Sequence, residues 1–172
     1  MRNIKISSVL LLLLMISPLY HCERNFVTET EQRRHPQDNA DKVTIRQGVW
    51  GDVLFWEGDF MPSTDPLPSR GRIEPVIRDV YIYKATTQNQ VRPRYTGPFY
   101  EEIDAELVKV VRSDVSGFYQ AELDTGLYSL FVKEDTLFYA NSFDSEGYIQ
   151  PVRIFPDSVS NLQIDITYRS SW

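Results

Sequence analysis

Cysteine and histidine are almost absent from this chain, and their scarcity excludes several kinds of site at once. Cys22 is the only cysteine among 172 residues, so no disulfide can form within the chain. The only histidines are His21 and His35, and neither lies in the part of the sequence that we interpret as folded. We therefore expect no Ser-His-Asp or Cys-His catalytic arrangement, no metal site, no cofactor and no enzymatic activity.

The longest apolar run lies near the start of the chain and is shorter than a membrane span. Arg2 and Lys5 precede this run, Val9–Ile16 forms its centre and Pro18 follows it. A basic start, an apolar stretch and a break are typical of a secretory signal peptide, whereas a membrane-spanning helix needs about 20 apolar residues. We expect residues 1–21 to be a signal peptide that directs export, with an uncleaved membrane anchor as the alternative.

Cys22 directly follows this segment, in a position that resembles the lipobox of bacterial lipoproteins. Leu19 fits the motif three residues before the cysteine, whereas Tyr20 and His21 stand where small residues are usual. The resemblance implies that the thiol of Cys22 carries a diacylglycerol and that Cys22 is the first mature residue. The expected location is the cell envelope, as an outer-membrane lipoprotein bound to the membrane through Cys22. The alternatives are an ordinary signal peptide cleaved elsewhere and a cysteine placed by chance.

Acidic residues outnumber basic ones by 24 to 18, and the net charge is −6. Removing residues 1–21, which hold Arg2 and Lys5 and no acidic residue, leaves 16 basic residues and a net charge of −8. An excess of negative charge repels phosphate backbones, so nucleic acid is not an expected partner.

The folded region is expected to begin near Gly48. Before it, Glu29–Asp41 contains almost nothing apolar and cannot bury enough surface to offset the entropy lost on ordering. The sequence therefore predicts a flexible tether over residues 22–47 and a single folded domain over residues 48–170.

Short segments rich in aromatic and β-branched residues follow Gly48 and are separated by turn signals. Residues 101–111 also fit one face of a helix, but the composition of 107–111 favours a strand. In the last third of the chain, the alternation places Tyr119, Ala121 and Leu123 on one face. The predicted fold is an all-β antiparallel sandwich of seven or eight strands. The expected strands are 49–56, 80–83, 106–111, 118–123, 127–133, 138–143, 148–155 and 162–168.

Five short motifs in this region, taken in order, resemble the carboxypeptidase regulatory-like domain, a transthyretin-like or prealbumin-like sandwich with Greek-key connections. They are Gly51-Asp52-Val53, Met61-Pro62, Val80-Tyr81-Ile82-Tyr83, Ser113-Asp114-Val115-Ser116-Gly117-Phe118 and Gly126-Leu127-Tyr128-Ser129-Leu130. The resemblance implies a non-catalytic module that serves as a spacer, folding aid or ligand platform. In the fourth motif, Asp114 is expected to cap a turn and Gly117 to adopt a positive φ, with Gly126 doing the same in the next hairpin.

Two segments, 63–76 and 85–105, are longer than the usual connections of that family, and we interpret both as loops. They contain arginine and aromatic residues, which are enriched where proteins recognise partners. These segments therefore form the predicted interaction surface and a positively charged face, with solvated loops of no function as the alternative. The candidate residues are Arg70, Arg72, Arg92, Arg94, Phe99 and Tyr100.

Two tryptophans in the first strand add a second candidate surface. If Val53 and Phe55 face the core, Trp50 and Trp56 face outward, where indole rings can stack on sugars. A strand covered on both faces is the alternative. The expected function is a structural or protein-interaction role as an envelope-tethered, non-catalytic lipoprotein. The alternative is a glycan-binding module that uses the exposed aromatic residues.

Two acidic motifs match catalytic or metal-binding patterns only partly. Asp124-Thr125-Gly126 matches the tripeptide of aspartic proteases, but it occurs once and that chemistry needs a pair of carboxylates. Asp144–Ile149 is similar to the middle of a calcium loop, yet Ser142 and Arg153 occupy the first and last ligand positions. We interpret the first motif as a hairpin turn and the second as a loop turn.

Overall fold

The computed structural model describes residues 39–62, 71–95 and 97–172. Single 3-10 turns at Ala40–Lys42 and Gln88–Gln90 are the helical elements of these residues, and the rest of the regular structure is β-strand. The prediction of an all-β sandwich is confirmed. Its strands are β1 (Gly48–Asp59), β2 (Arg72–Pro75), β3 (Asp79–Lys84), β4 (Val91–Pro93), β5 (Phe99–Ile103), β6 (Leu107–Arg112), β7 (Phe118–Glu122), β8 (Gly126–Glu134), β9 (Leu137–Tyr139), β10 (Pro151–Ile154), β11 (Val159–Asn161) and β12 (Ile164–Ser171).

One sheet is built around the long strand β1. β2 and β7 pair with β1 in the antiparallel direction, whereas β11 and β12 run parallel to it. The parallel pairs differ from the expected antiparallel pattern. They are possible because about a hundred residues separate β1 from β12, so no hairpin dictates the relative direction of these strands.

The other sheet has seven strands in the order β4-β5-β9-β8-β3-β6, with β10 also paired to β8, and all its pairs are antiparallel. β4 and β5 lie inside the segment 85–105, which the sequence analysis assigned to a loop. β2 likewise lies inside the predicted loop 63–76. These strands are too short and polar to produce a clear alternation, and they are ordered by pairing with neighbours distant in sequence.

The main core lies between the two sheets. Val53 and Ile164 from the first sheet meet Val80 and Leu130 from the second, and all four side chains are inaccessible to solvent. Burial of such a side chain stabilises the fold by about 1.5–3 kcal/mol. Tyr119, Ala121 and Leu123 face this core, as the alternation of β7 predicted.

A second apolar cluster covers the outer face of the seven-stranded sheet. Phe131 of β8 packs edge-on against Tyr83 and Tyr100, with each pair of ring centroids 5.7 Å apart. Ala140 and Ile149 complete the buried part of this cluster. Because β8 is buried on both faces, the part of its sequence from Leu127 to Val132 is apolar at every position except Ser129 and does not alternate.

The turn between β6 and β7 has the predicted geometry. Oδ1 of Asp114 accepts hydrogen bonds from the backbone N–H groups of Ser116 and Phe118, at 2.8 and 3.1 Å. Gly117 has a φ of 79°, and a Cβ added there would lie 2.6 Å from the carbonyl oxygen of Val53. The expectation for Gly126 is wrong, because it lies in β8 without a positive φ.

The turns on either side of β7 carry the chain between the sheets. β6 and β8 belong to the seven-stranded sheet, whereas β7 pairs with β1 in the other. Asp124-Thr125-Gly126 is therefore a crossover between sheets and not the hairpin turn that we expected. As a consequence, β6 and β7 lie beside each other at one open side of the sandwich.

Residues 39–47, which the sequence analysis placed in the tether 22–47, are docked on the sandwich. Asn39 is buried and donates a hydrogen bond to Asp52, and Gln47 donates to the carbonyl oxygen of Leu123 at 2.9 Å. The composition of this segment did not predict the docking, because polar side chains make the contacts and the prediction was based on apolar residues. The folded unit thus includes the nine residues 39–47 that were assigned to the tether, while the predicted signal peptide, Cys22 and the rest of the predicted tether lie outside the described residues.

Candidate functional site

The predicted arginines that the structure describes do not form a positively charged face. Arg92 and Arg94 both pair with Glu101 on the adjacent strand, at 3.0 and 3.2 Å. Arg72 pairs with a carboxylate of β1 at 2.7 Å. Because each of these guanidinium groups has a carboxylate of the neighbouring strand beside it, their charges are neutralised locally. Arg70 lies outside the described residues.

The two aromatic residues predicted for the same surface belong to the packed interior instead. Tyr100 is buried against Phe131, and the ring of Phe99 contacts Tyr139 and Tyr168 at centroid distances of 5.2 and 5.1 Å. β5 pairs with β9, so its aromatic side chains are brought onto the faces of the seven-stranded sheet.

Trp50 and Trp56 lie on the outer face of β1, as expected, but both are half-buried. Leu54, on the same face between them, is almost inaccessible to solvent. The ring of Trp50 lies 6.2 Å from that of Phe118, and the ammonium group of Lys42 lies over the Phe118 ring at 5.7 Å. The docked segment 39–47 therefore contributes to covering this face.

Trp56 is part of a group of rings that we call the aromatic end cluster, formed by Trp56, Phe60 and Trp172. Phe60 and Trp172 are stacked with centroids 5.1 Å apart, and Trp56 lies 5.1 and 5.4 Å from them. The indole N–H of Trp56 donates to Oδ1 of Asp165 at 2.9 Å, which orients its ring. Trp172 is 65% exposed, so one face of the stack is open to solvent.

A cleft of about 640 Å³ lies at the open side of the sandwich where β6 passes β7. We call it the β6 cleft. Val108, Leu123 and Tyr128 supply its apolar lining. Six charged side chains also line the cleft, namely Arg46, Lys84, Lys109, Glu106, Glu122 and Asp124.

These six side chains are three cations and three carboxylates without a salt-bridge partner among the described residues. Within the described part of the chain, none of them forms a salt bridge, whereas Arg72, Arg92 and Arg112 each do. The ammonium group of Lys109 donates to the backbone oxygen of Glu122 at 3.1 Å and has no carboxylate partner among the residues that the structure describes. The β6 cleft is therefore a polar surface with unpaired charges of both signs.

The strand beside the cleft is exposed although its sequence is apolar. Leu107, Val108 and Val110 are 47%, 36% and 43% exposed, while Val111 packs against the main core. Among the described strands, β6 pairs only with β3, so it forms an edge of the seven-stranded sheet. An apolar edge strand with free backbone groups is a template for pairing with another chain.

A buried carboxylate elsewhere in the sandwich has a structural explanation. Glu134, at the end of β8, forms an ion pair with Arg78 and accepts a hydrogen bond of 2.8 Å from the hydroxyl of Tyr168. Burial, and then this hydrogen bond, raise the pKa of Tyr168 to about 12. The phenol is therefore neutral near pH 7 and remains a donor that joins β12 to β8.

The turn at Asp144 is also structural. Its Oδ1 accepts hydrogen bonds from the N–H groups of Glu146 and Tyr148, at 3.0 and 2.9 Å. The loop-turn interpretation of this motif is confirmed. In the described residues, no three or more His, Cys, Asp or Glu side chains are grouped closely enough to hold a metal ion. No helix in that same part of the chain has the length and hydropathy of a membrane span.

Comparison of the chain with protein-family models, with curated proteins and with solved structures found no match. Sequence reasoning identified β6 as a strand but did not identify the cleft beside it. The signal in the sequence was the composition of Leu107–Arg112, which contains more apolar residues than one buried face of a strand needs. Which of these residues are exposed depends on the position of β6 at a sheet edge.

Proposed function

We propose that the chain is an exported lipoprotein, anchored to the cell envelope through Cys22, whose sandwich is a non-catalytic interaction module. The position of Cys22 after an apolar export segment supports the anchor. The motifs that resemble the carboxypeptidase regulatory-like domain, together with the β-sandwich fold, support a module of this type.

The observation that carries the interaction role is the exposure of β6. Folded proteins usually protect edge strands by charges, prolines or a covering loop, because unpaired backbone groups promote association. β6 carries Lys109 and Arg112, but Leu107, Val108 and Val110 present exposed apolar side chains on both faces of this edge. A partner that covers β6 would bury these side chains and pair its free backbone groups.

Site-specific photocrosslinking in intact cells tests this role. A photoreactive residue in place of Val110 is expected to capture a neighbouring macromolecule. The matched control is Val115, which is 81% exposed but lies in the turn after β6. Equal crosslinking at the two positions, or none at Val110, would contradict an interaction role for this edge.

A glycan-binding function is the second candidate, and the aromatic end cluster favours it. Stacked rings with one open face, as in Phe60 and Trp172, are suited to the apolar faces of sugar rings. Affinity electrophoresis through gels that contain purified envelope polysaccharide tests this candidate. Trp172→Ala should remove any retardation, and Tyr95→Ala, at an exposed tyrosine remote in sequence, should retain it.

A further inference from the structure

We propose that the β6 cleft binds an extended peptide, which adds as a strand to the free edge of β6 and alternates apolar residues with charged residues of both signs. This inference rests on the interaction role proposed above and specifies the partner class. It follows from three features of the site, which are the backbone of β6, its outer face and its inner face.

The backbone of β6 is available along one side. It pairs with β3 over Leu107–Arg112, and no other described strand pairs with it. Across the cleft, β7 pairs with β1 and belongs to the other sheet. An extended segment placed beside β6 would therefore extend the seven-stranded sheet toward β7, with hydrogen bonds that any peptide sequence can make.

The outer face of β6 favours apolar side chains in the peptide. Leu107 pairs with Tyr83 and Val110 with Tyr81, and both tyrosines belong to the cluster on the outer face of the seven-stranded sheet. Residues directly opposite each other in a sheet project to the same face. Leu107 and Val110 thus extend this apolar face to the sheet edge, where peptide side chains would continue it.

The inner face favours charged side chains. The register of β6 and β3 shifts between Ile82 and Tyr83, so Val108 is an additional residue on β6. This irregularity places Val108 beside Lys109 in the lining of the cleft. Three cations and three carboxylates that form no salt bridge with a described residue line the same space, and a peptide with charges of both signs can place an opposite charge beside individual members of this set.

A second copy of the chain fits this edge less well. Because Leu107–Arg112 contains no acidic residue, antiparallel pairing of two β6 strands about a two-fold axis places Lys109 opposite Lys109 or opposite an apolar residue such as Val111, and never opposite a carboxylate. Like charges in directly opposite positions destabilise a sheet. A heterologous peptide can instead place a carboxylate opposite Lys109, and we therefore assign the edge to such a peptide.

Selection from a displayed library of random peptides of about twelve residues tests the proposal on the exported Cys22→Ser chain. Enriched peptides are expected to alternate apolar and charged residues. Methylating alternate backbone nitrogens of a synthetic enriched peptide should weaken binding about tenfold, because its N–H groups are lost. Val110→Lys should weaken binding to a similar degree, and Val115→Lys should leave it unchanged.

Melting curves of both variants establish that they are folded, and Leu107→Lys replaces Val110→Lys if the latter unfolds. Equal enrichment on the wild type and the Lys variant, or equal binding of the methylated peptide, would overturn the proposal. A concentration-dependent dimer that Val110→Lys abolishes would assign the edge to a second copy instead. If Val110 crosslinks in cells but the library selection enriches no peptide, the interaction role is retained and the peptide is rejected as the partner.

Discussion

The side-chain amide of Asn39 donates a hydrogen bond of 2.6 Å to Oδ1 of Asp52, at a point where both side chains are buried. This bond joins the first described residue of the chain to the middle of β1. The same amide group also donates a longer hydrogen bond of 3.4 Å to the backbone carbonyl oxygen of Ser116. Asn39 therefore lies beside the turn that follows β6.

Asn39→Ala should destabilise the sandwich by about 1–3 kcal/mol, because it removes a donor that faces a buried carboxylate. Urea unfolding measures the change. The control is Asn161→Ala, whose amide makes a longer and exposed hydrogen bond to the carbonyl oxygen of Trp50. If both variants unfold at the same urea concentration as the wild type, the hydrogen bond between Asn39 and Asp52 does not contribute to stability.

Gly117→Ala should be more destabilising than Gly147→Ala, although both glycines have positive φ angles. At Gly147 a Cβ meets nothing within 4 Å, so only backbone strain of about 1 kcal/mol is expected. At Gly117 the Cβ also clashes with the carbonyl oxygen of Val53. Thermal melting of the two variants compares these effects, and equal melting temperatures would contradict the close approach of the turn to β1.

Cys22→Ser should release the protein from the membrane fraction, because lipidation requires the thiol. Fractionation followed by immunodetection measures the release, and metabolic labelling with a fatty acid provides an independent measurement. Asn25→Ser, three residues later, is a matched control that should remain in the membrane fraction. Equal labelling of the Cys22→Ser variant and the wild type would reject the anchor.

The stability of the sandwich should fall in acid partly through Asp114. Partial burial opposes ionisation of this carboxyl group, but hydrogen bonds from Ser116, Lys42 and the backbone outweigh it and hold its pKa below 3.8. A lowered pKa in the folded state means that the contribution is present above the unfolded pKa. It is lost as the pH falls through the lower folded value.

Urea midpoints at neutral pH and near pH 3 measure this effect. In Asp114→Asn the difference between the two midpoints should be smaller than in the wild type. Asp41→Asn changes an exposed carboxylate of the docked segment and serves as the control. A wild-type difference that persists in Asp114→Asn would assign the acid sensitivity to other groups.

The local pattern of residues was sufficient to predict the β class and most strands. Alternation in Phe118–Leu123 predicted which side chains face the core, and Asp114 with Gly117 predicted a turn with a positive φ, because these features depend on neighbours in the chain. All eight predicted strands have counterparts in the structure, and β2, β4, β5 and β11 are additional. The additional strands are at most five residues long, and pairing with distant segments stabilises them.

Only the tertiary structure determined which apolar and charged residues are available to a partner. Arg92 and Phe99 looked like parts of a recognition surface, yet strand pairing places one beside Glu101 and the other against Tyr139. Val110 looked like an ordinary strand residue, yet it is exposed because β6 lies at the edge of its sheet. A sequence determines the side chains that a strand carries, whereas its exposure depends on whether another strand lies beside it, and that arrangement is set by contacts between residues far apart in the chain.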